Sequence, residues 1–187
     1  MIKSRKVQIA IIAGLLIVTA LMRLLPIAPN FTPVIAIALF GAAVFKNKNL
    51  AFLLPLGILL FSDIMLEVAF QLGLRSFTGF HSGMIFVYGA FLLIAVLAYI
   101  GLKKINIARI GIGAITASVL FFLISNFGVW ISGSMYPMDF SGLIACYTAA
   151  IPFFHNTLLS TLLYSGVLFG AYYLINQQSL KPAFQKS

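Results

Sequence analysis

The chain is a succession of long apolar stretches separated by short polar or basic segments. Five of the six stretches are close to or longer than the ~17 to 25 residues that carry a helix across the ~30 Å hydrocarbon core of a bilayer. The second is shorter and would need loop residues or local thinning of the bilayer to cross. The pattern predicts six transmembrane helices, at about residues 7–25, 31–45, 50–74, 82–102, 110–131 and 152–175.

The longest segment outside these helices is about residues 132–151, which contains Gly133, Pro137 and Gly142 and a short apolar helix candidate. Pro152 stands at the start of the last predicted helix, where a proline suits either the first helical position or a kink. Either arrangement leaves this segment packed on the outer mouth of the bundle.

The basic residues are divided unequally between the two sides that six spans define. One side receives only Arg23 and Arg75. The other receives all the rest, which are Lys3, Arg5, Lys6, Lys46, Lys48, Lys103, Lys104, Arg109, Lys181 and Lys186. Because short cytoplasmic loops carry an excess of lysine and arginine, the richer side is predicted to be cytoplasmic, together with both termini.

Composition supports one membrane domain over residues 1–187. The chain is 62% hydrophobic and only 8% charged, which is incompatible with a soluble domain that has a charged surface. A net charge of +9 would suggest nucleic acid in a soluble protein. Here the basic residues lie in short loops beside apolar spans, so we predict contact with the lipid bilayer and no nucleic-acid partner.

Polar side chains recur on one face of the third predicted helix and one face of the sixth. Asp63 and Glu67 are four residues apart and share a face with Gln71. A carboxylate facing lipid near a helix centre costs about 2.5–3.5 kcal/mol, so this face should line the bundle interior or a wet cavity. Asn156 begins the matching face of the sixth helix, with Ser160 and Tyr164.

We therefore predict a substrate-binding cleft open to the outer side, and two interpretations of its carboxylates remain open. In the first, the cleft binds a small molecule through Asp63, Glu67, Asn126, Trp130, Tyr147, His155 and Asn156. Unpaired acids would then select a cationic or hydroxyl-rich ligand. In the second, Asp63 and Glu67 pair with Arg23 or Arg75 and tie helix ends together.

Several kinds of chemistry have no sequence support. The chain has no H-E-x-x-H motif or histidine pair at ligand spacing, so no metal is predicted, and no cofactor motif occurs. A nucleophile elbow is absent, and we predict that the protein is not an enzyme. Without a phosphate-binding loop, it cannot hydrolyse ATP to drive transport itself, and any such energy must come from a partner.

Several segments together resemble a family of small bacterial membrane proteins that are described as transport proteins without an assigned function. These segments are Arg23 to Pro33, Pro55 to Asp63, Asn126 to Trp130, Met135 to Pro137, Gly142 to Tyr147 and Ile151 to Asn156. The resemblance covers nearly the whole chain. It implies a multi-pass protein of the bacterial cytoplasmic membrane.

The size, six-span topology and outward-facing polar cluster are similar to the S components of energy-coupling-factor vitamin transporters. Ala10-x-x-x-Gly14 is similar to the small-residue motif by which those proteins dock on a transmembrane coupling subunit that works with ATPases. The likeness implies an all-α bundle that captures a small nutrient or vitamin outside and delivers it inward. The segment around Pro26 to Pro33, or that around Tyr136 to Tyr147, would cover the ligand.

Two other classes of protein remain open. The first is a structural or assembly subunit of a membrane complex, whose small-residue faces bind other helices. The second is an intramembrane enzyme that uses Asp63, Glu67 or His155 in acid-base chemistry.

Overall fold

A computed structural model describes residues 14–15, 17–19, 21–24, 28–45 and 47–180, with side chains to residue 174. Helical residues between 14 and 24 form α1. The remaining helices are α2 (Val34–Val44), α3 (Lys48–Gln71), α4 (Met84–Gly101), α5 (Ile107–Ile131) and α6 (Phe140–Leu180). This part of the chain contains no strand, so the prediction of an all-α bundle is confirmed.

Four of the helices, α3 to α6, are long and apolar enough to cross a membrane. By contrast, α2 has only 11 residues and is about 17 Å long, roughly half of the hydrocarbon thickness. All of its residues except Ala43 are buried. The second predicted span is therefore a short helix at the centre of the bundle, which explains why it is apolar on every side.

The buried core is built around α2. Phe40 contacts Phe169 of α6 edge to face, with ring centroids 5.4 Å apart. Val34, Leu39 and Phe40 belong to one apolar cluster that also contains Phe91 and Ile94 of α4. Because α2 contacts every one of the long helices, its short apolar surface sets the spacing between them.

Asparagine caps move two helix starts upstream of the predicted positions. The Asn47 side chain accepts a hydrogen bond from the Asn49 amide at 3.0 Å and begins α3. The Asn106 side chain accepts one from the Arg109 amide at 2.8 Å and begins α5. Such caps satisfy helix N–H groups that have no partner within the helix. The apolar runs alone predict starts at residues 50 and 110.

The last helix differs most from the sequence prediction. It runs without interruption over 41 residues, and Pro152 lies inside it. The predicted outer segment 132–151 is thus helical from Phe140 onward, and only residues 132–139 connect α5 to α6. Pro152 lacks the N–H that would bond one turn back, a loss that membrane helices tolerate when neighbouring groups compensate.

Asp139 fixes the beginning of α6. Its Oδ1 accepts hydrogen bonds from the Gly142 amide and the Ser141 hydroxyl, both at 2.7 Å. The Gly142 amide, and then the Ser141 hydroxyl, hold the pKa of the Asp139 carboxyl below its ordinary value. An ionised carboxylate at this position also complements the positive end of the helix dipole.

The bundle has two chemically different ends. At the basic end, the Lys48 ammonium lies 5.9 Å from the centroid of the Tyr99 ring, and the α4–α5 connection adds further cations. At the polar end lie Arg23, Arg75 and the connections 28–33, 72–83 and 132–139. Predicted features at Lys3, Arg5, Lys6, Ala10, Lys46, Lys181 and Lys186 lie outside the described residues.

Candidate functional site

A buried ion pair joins α1 to α3 at the polar end. Asp63 Oδ1 lies 2.5 Å from Arg23 Nη1, and the Asp63 side chain is only 4% exposed. The same Arg23 nitrogen donates to Ser62 Oγ at 2.5 Å. A carboxylate this deeply buried requires a paired charge, because desolvation would otherwise destabilise its ionised form.

The second oxygen of Asp63 is also satisfied. Tyr88 of α4 donates its hydroxyl to Asp63 Oδ2 at 2.7 Å. Ser62 in turn donates to the Leu59 carbonyl at 2.7 Å, so its oxygen is free to accept from Arg23. One carboxylate therefore ties three helices together, and both of its oxygens are engaged within the protein.

Glu67 fastens the α3–α4 connection to α3. Its Oε2 accepts from the Thr78 hydroxyl and, at 3.2 Å, from the Gly79 amide. Its Oε1 accepts from Gln71 Nε2 at 2.8 Å, which agrees with their predicted place on one helix face. Gly79 lies so close to α3 that an added Cβ would be 2.0 Å from the Asp63 carbonyl oxygen, so only glycine fits there.

The predicted polar face of α6 lies against the N-terminal part of the chain. Asn156 Nδ2 donates to the Pro29 carbonyl at 3.0 Å, and the Ser160 hydroxyl reaches the Asn30 carbonyl at 3.5 Å. One turn further, the Tyr164 hydroxyl lies 3.6 Å from Met22 Sδ. This face therefore holds the 28–33 connection across the polar end of the bundle.

The backbone of the 28–33 connection turns sharply at Asn30. This residue has φ of +61°, the only positive value at a non-glycine residue in the described part of the chain. Asparagine is one of the few non-glycine residues that adopt this conformation readily. The turn brings the Asn30 and Thr32 side chains over the interior.

Beneath this connection lies a cavity of about 160 Å³. Apolar walls come from α2 to α5. Its polar lining residues are Arg23, Asn30, Thr32, His81, Thr157 and Ser160. Arg23 lines the cavity and Asp63 does not, so the fixed charge at the cavity wall belongs to Arg23. The ion pair with Asp63 and the hydrogen bond to Ser62 both use Nη1 of that guanidinium.

A second cavity of about 180 Å³ adjoins the first, and the two share Asn30, Val87, Phe121 and Thr157. Asn126 lines this second cavity. Its Nδ2 donates back to the Phe122 carbonyl at 2.7 Å, so the side-chain oxygen is the group available to a ligand.

The other predicted site residues lie apart from the cavities. Trp130 Nε1 donates to the Pro137 carbonyl at 3.0 Å, which braces the connection 132–139. The Tyr147 hydroxyl donates to the Leu123 carbonyl at 2.6 Å and joins α6 to α5. His155 is exposed beside Phe154. Arg75 donates to the Leu24 carbonyl and lies against the Phe77 ring, so its described contacts include no carboxylate.

The structure adds cavity residues that sequence reasoning left out of the site. Thr32 and Thr157 give no signal in the sequence, because an isolated threonine is common both in a connection and within an apolar helix. Asn30 and His81 lie between the predicted helices and outside the predicted ligand site. The contact of Tyr88 with Asp63 spans 25 residues between two helices, so no local spacing could reveal it.

Among the described residues, no three His, Cys, Asp or Glu side chains form a group that could hold a metal ion. The site thus consists of an internally paired guanidinium, hydroxyl and amide groups around a small cavity in a bundle of apolar helices. The chain belongs to the DUF6580 family, a family of unknown function, whose profile matches residues 3–184. No curated protein and no solved structure matches it.

Proposed function

We propose that this protein is a membrane-embedded binding subunit that captures a small polar solute at its polar end and delivers it across the membrane. The observation that carries the proposal is the 160 Å³ cavity beneath the 28–33 connection, lined by the guanidinium and by hydroxyl and amide groups. Protein interiors are close-packed, and a bundle with a purely structural role has no need of a polar void.

The geometry favours a ligand different in charge from the one that the sequence suggested. Asp63 is paired with Arg23 and accepts a hydrogen bond from Tyr88, whereas Arg23 also lines the cavity. A guanidinium binds carboxylate or phosphate oxygens in a fixed geometry. We therefore favour an anionic or acceptor-bearing solute over a cation.

Cavity size narrows the choice further. A volume of 160 Å³ corresponds to about five water molecules at roughly 30 Å³ each. A solute of a few non-hydrogen atoms fits this space as it stands. A vitamin-sized molecule would require the cavity to merge with the neighbouring one through movement of residues that line both, such as Val87 or Phe121.

The mechanism that we propose is binding followed by handover, without chemical conversion. The four long apolar helices supply the membrane unit, and the 28–33 connection, held by Asn156, would act as the cover. The resemblance that the sequence suggested to S components of energy-coupling-factor transporters leads us to propose a partner as well. A transmembrane coupling subunit with ATPases would provide the energy for inward release.

Native mass spectrometry of the gently purified protein tests this proposal, with bound small molecules released and identified. Thr157 and Thr161 form a matched pair: both are buried on α6 and both donate to a backbone carbonyl four residues back, but only Thr157 lines the cavity. We expect Thr157→Val to lower ligand occupancy about threefold to tenfold, the effect of one hydrogen bond. Thr161→Val should leave occupancy unchanged.

The outcome that contradicts binding is a protein that carries no small molecule but copurifies with fixed membrane subunits. One observation favours that structural alternative. Only 17% of the apolar window of α5 is buried within the chain, so a wide helix face is left for lipid or for another protein. In that case Thr157→Val and Thr161→Val would behave alike.

A further inference from the structure

A deep groove opens between α4 and α5 near the basic end, and it shares no lining residue with the polar cavities. Its volume is about 220 Å³, and Leu39 of the central helix α2 forms part of its lining. Leu97 and Ile112 on its rim are 41% and 65% exposed, whereas Ile94 and Leu102 inside it are almost fully buried. The groove therefore leads from the exposed surface of the helices to the core of the bundle.

Small residues on the facing sides of the two helices create this space. Ala98 and Gly101 lie on α4, and Gly113 and Ala117 lie on α5. A Cβ added at Gly101 would have no atom within 4 Å, and one added at Gly113 would meet only side-chain atoms at 3.8 Å or more. Larger side chains would fit at these two glycines without a backbone clash. The gap between the helices therefore exists because the residues that face it are small.

The mouth of the groove is strongly basic. Arg109 lines it, and its Nη1 lies 3.4 Å from the carbonyl oxygen of Gly101, the last residue of α4. Lys103 and Lys104 lie in the same short connection. The three acidic residues of the chain are Asp63, Glu67 and Asp139, and all of them belong to the polar half of the bundle. The cations at this mouth therefore have no acidic neighbour along their own helices or connection.

We propose that this groove binds one acyl chain of an anionic phospholipid, with the headgroup phosphate at Arg109 and the neighbouring lysines. The apolar lining suits a hydrocarbon chain, and the positive mouth complements the headgroup. The positive-inside rule also places this end in the leaflet where anionic lipids lie.

Lipid competition followed by native mass spectrometry tests the site. The delipidated full-length protein is mixed with equal amounts of phosphatidylglycerol and phosphatidylcholine that carry the same acyl chains. We expect one phosphatidylglycerol to be retained in preference. Arg109→Gln should reduce that preference about fivefold, the effect of one basic residue near an anionic headgroup. Lys48→Gln, a charge loss at the same end but outside the groove, should not reduce it.

Filling the groove distinguishes this site from general attraction to the membrane surface. Gly101→Leu places a side chain in open space within the groove and should weaken retention of both lipids. Gly111→Leu adds the same side chain at an equally open position on α5 outside the groove, and should have no effect. Equal retention of the two lipids by the native protein, or equal effects of the two leucine variants, would overturn the proposal. A copurified protein that protects Gly101 from lipid would instead assign the groove to a protein partner and also overturn it.

Discussion

Loss of Arg23 and loss of Asp63 should destabilise the protein to different extents, and the difference can be measured as a free energy of unfolding. Asp63 is 4% exposed at the side chain and Arg23 is 22% exposed. Replacement of Arg23 by methionine keeps an apolar side chain of similar length but leaves a buried carboxylate with only Tyr88 as a described donor. Removal of one partner from a buried pair costs about 3–5 kcal/mol, which we expect for Arg23→Met.

The reciprocal change, Asp63→Asn, should lower the free energy of unfolding less than Arg23→Met does. In Asp63→Asn, the Arg23 guanidinium keeps its bond to Ser62 and can turn toward the cavity that it lines. We expect Asp63→Asn to lower the free energy of unfolding by about 1–3 kcal/mol, which is the penalty for weakening a hydrogen bond to a charged group. The double variant should be more stable than the sum of the two single losses predicts, with a coupling energy of at least about 1 kcal/mol.

The assay is reversible unfolding in mixed detergent and dodecyl sulfate micelles, followed by helical circular dichroism. Fluorescence of Trp130, the one tryptophan of the chain, provides a second probe to check that unfolding is two-state. Arg75→Met is the matched control, because Arg75 also binds α1 but through the Leu24 carbonyl. Additive losses, or an Arg23→Met loss no larger than that of Asp63→Asn, would refute the reasoning.

Three further predictions concern neighbouring contacts. Tyr88→Phe should destabilise the protein by about 1.5–3 kcal/mol in the same assay, because it removes a donor to a buried carboxylate; an unchanged free energy of unfolding would mean that water replaces the hydroxyl. Gly79→Ala should cost about 1–3 kcal/mol or more through its clash with the Asp63 carbonyl, whereas Gly89→Ala, in open space, should be neutral in that assay. Asp139→Ala should lower the melting temperature at neutral pH and much less at about pH 3. The folded state lowers the pKa of Asp139. The stability that this carboxylate contributes is therefore present above its unfolded pKa and is lost as the pH falls through its folded pKa. A drop in melting temperature that does not depend on pH would contradict this reasoning.

The structure places the predicted site residues in different surroundings, and the reason differs from residue to residue. Asn156 and Ser160 share one face of α6, as their four-residue spacing indicated, and the structure shows that this face packs against the 28–33 connection. Helical periodicity carries this information, because side chains four residues apart share a face in any α-helix. The same periodicity says nothing about whether a carboxylate meets a ligand or an arginine, which left both interpretations of Asp63 open.

Hydrophobicity and length by themselves determined the all-helical class and the position of the long helices. These properties belong to local stretches of chain, since about twenty apolar residues form a helix in a bilayer whatever surrounds them. Only the tertiary structure decided that α2 is a short buried helix, that α6 continues through Pro152, and that Asp63 is paired while Arg23 lines the cavity. Each of these depends on contacts between residues that are distant in the sequence, and such contacts arise only when the helices pack together.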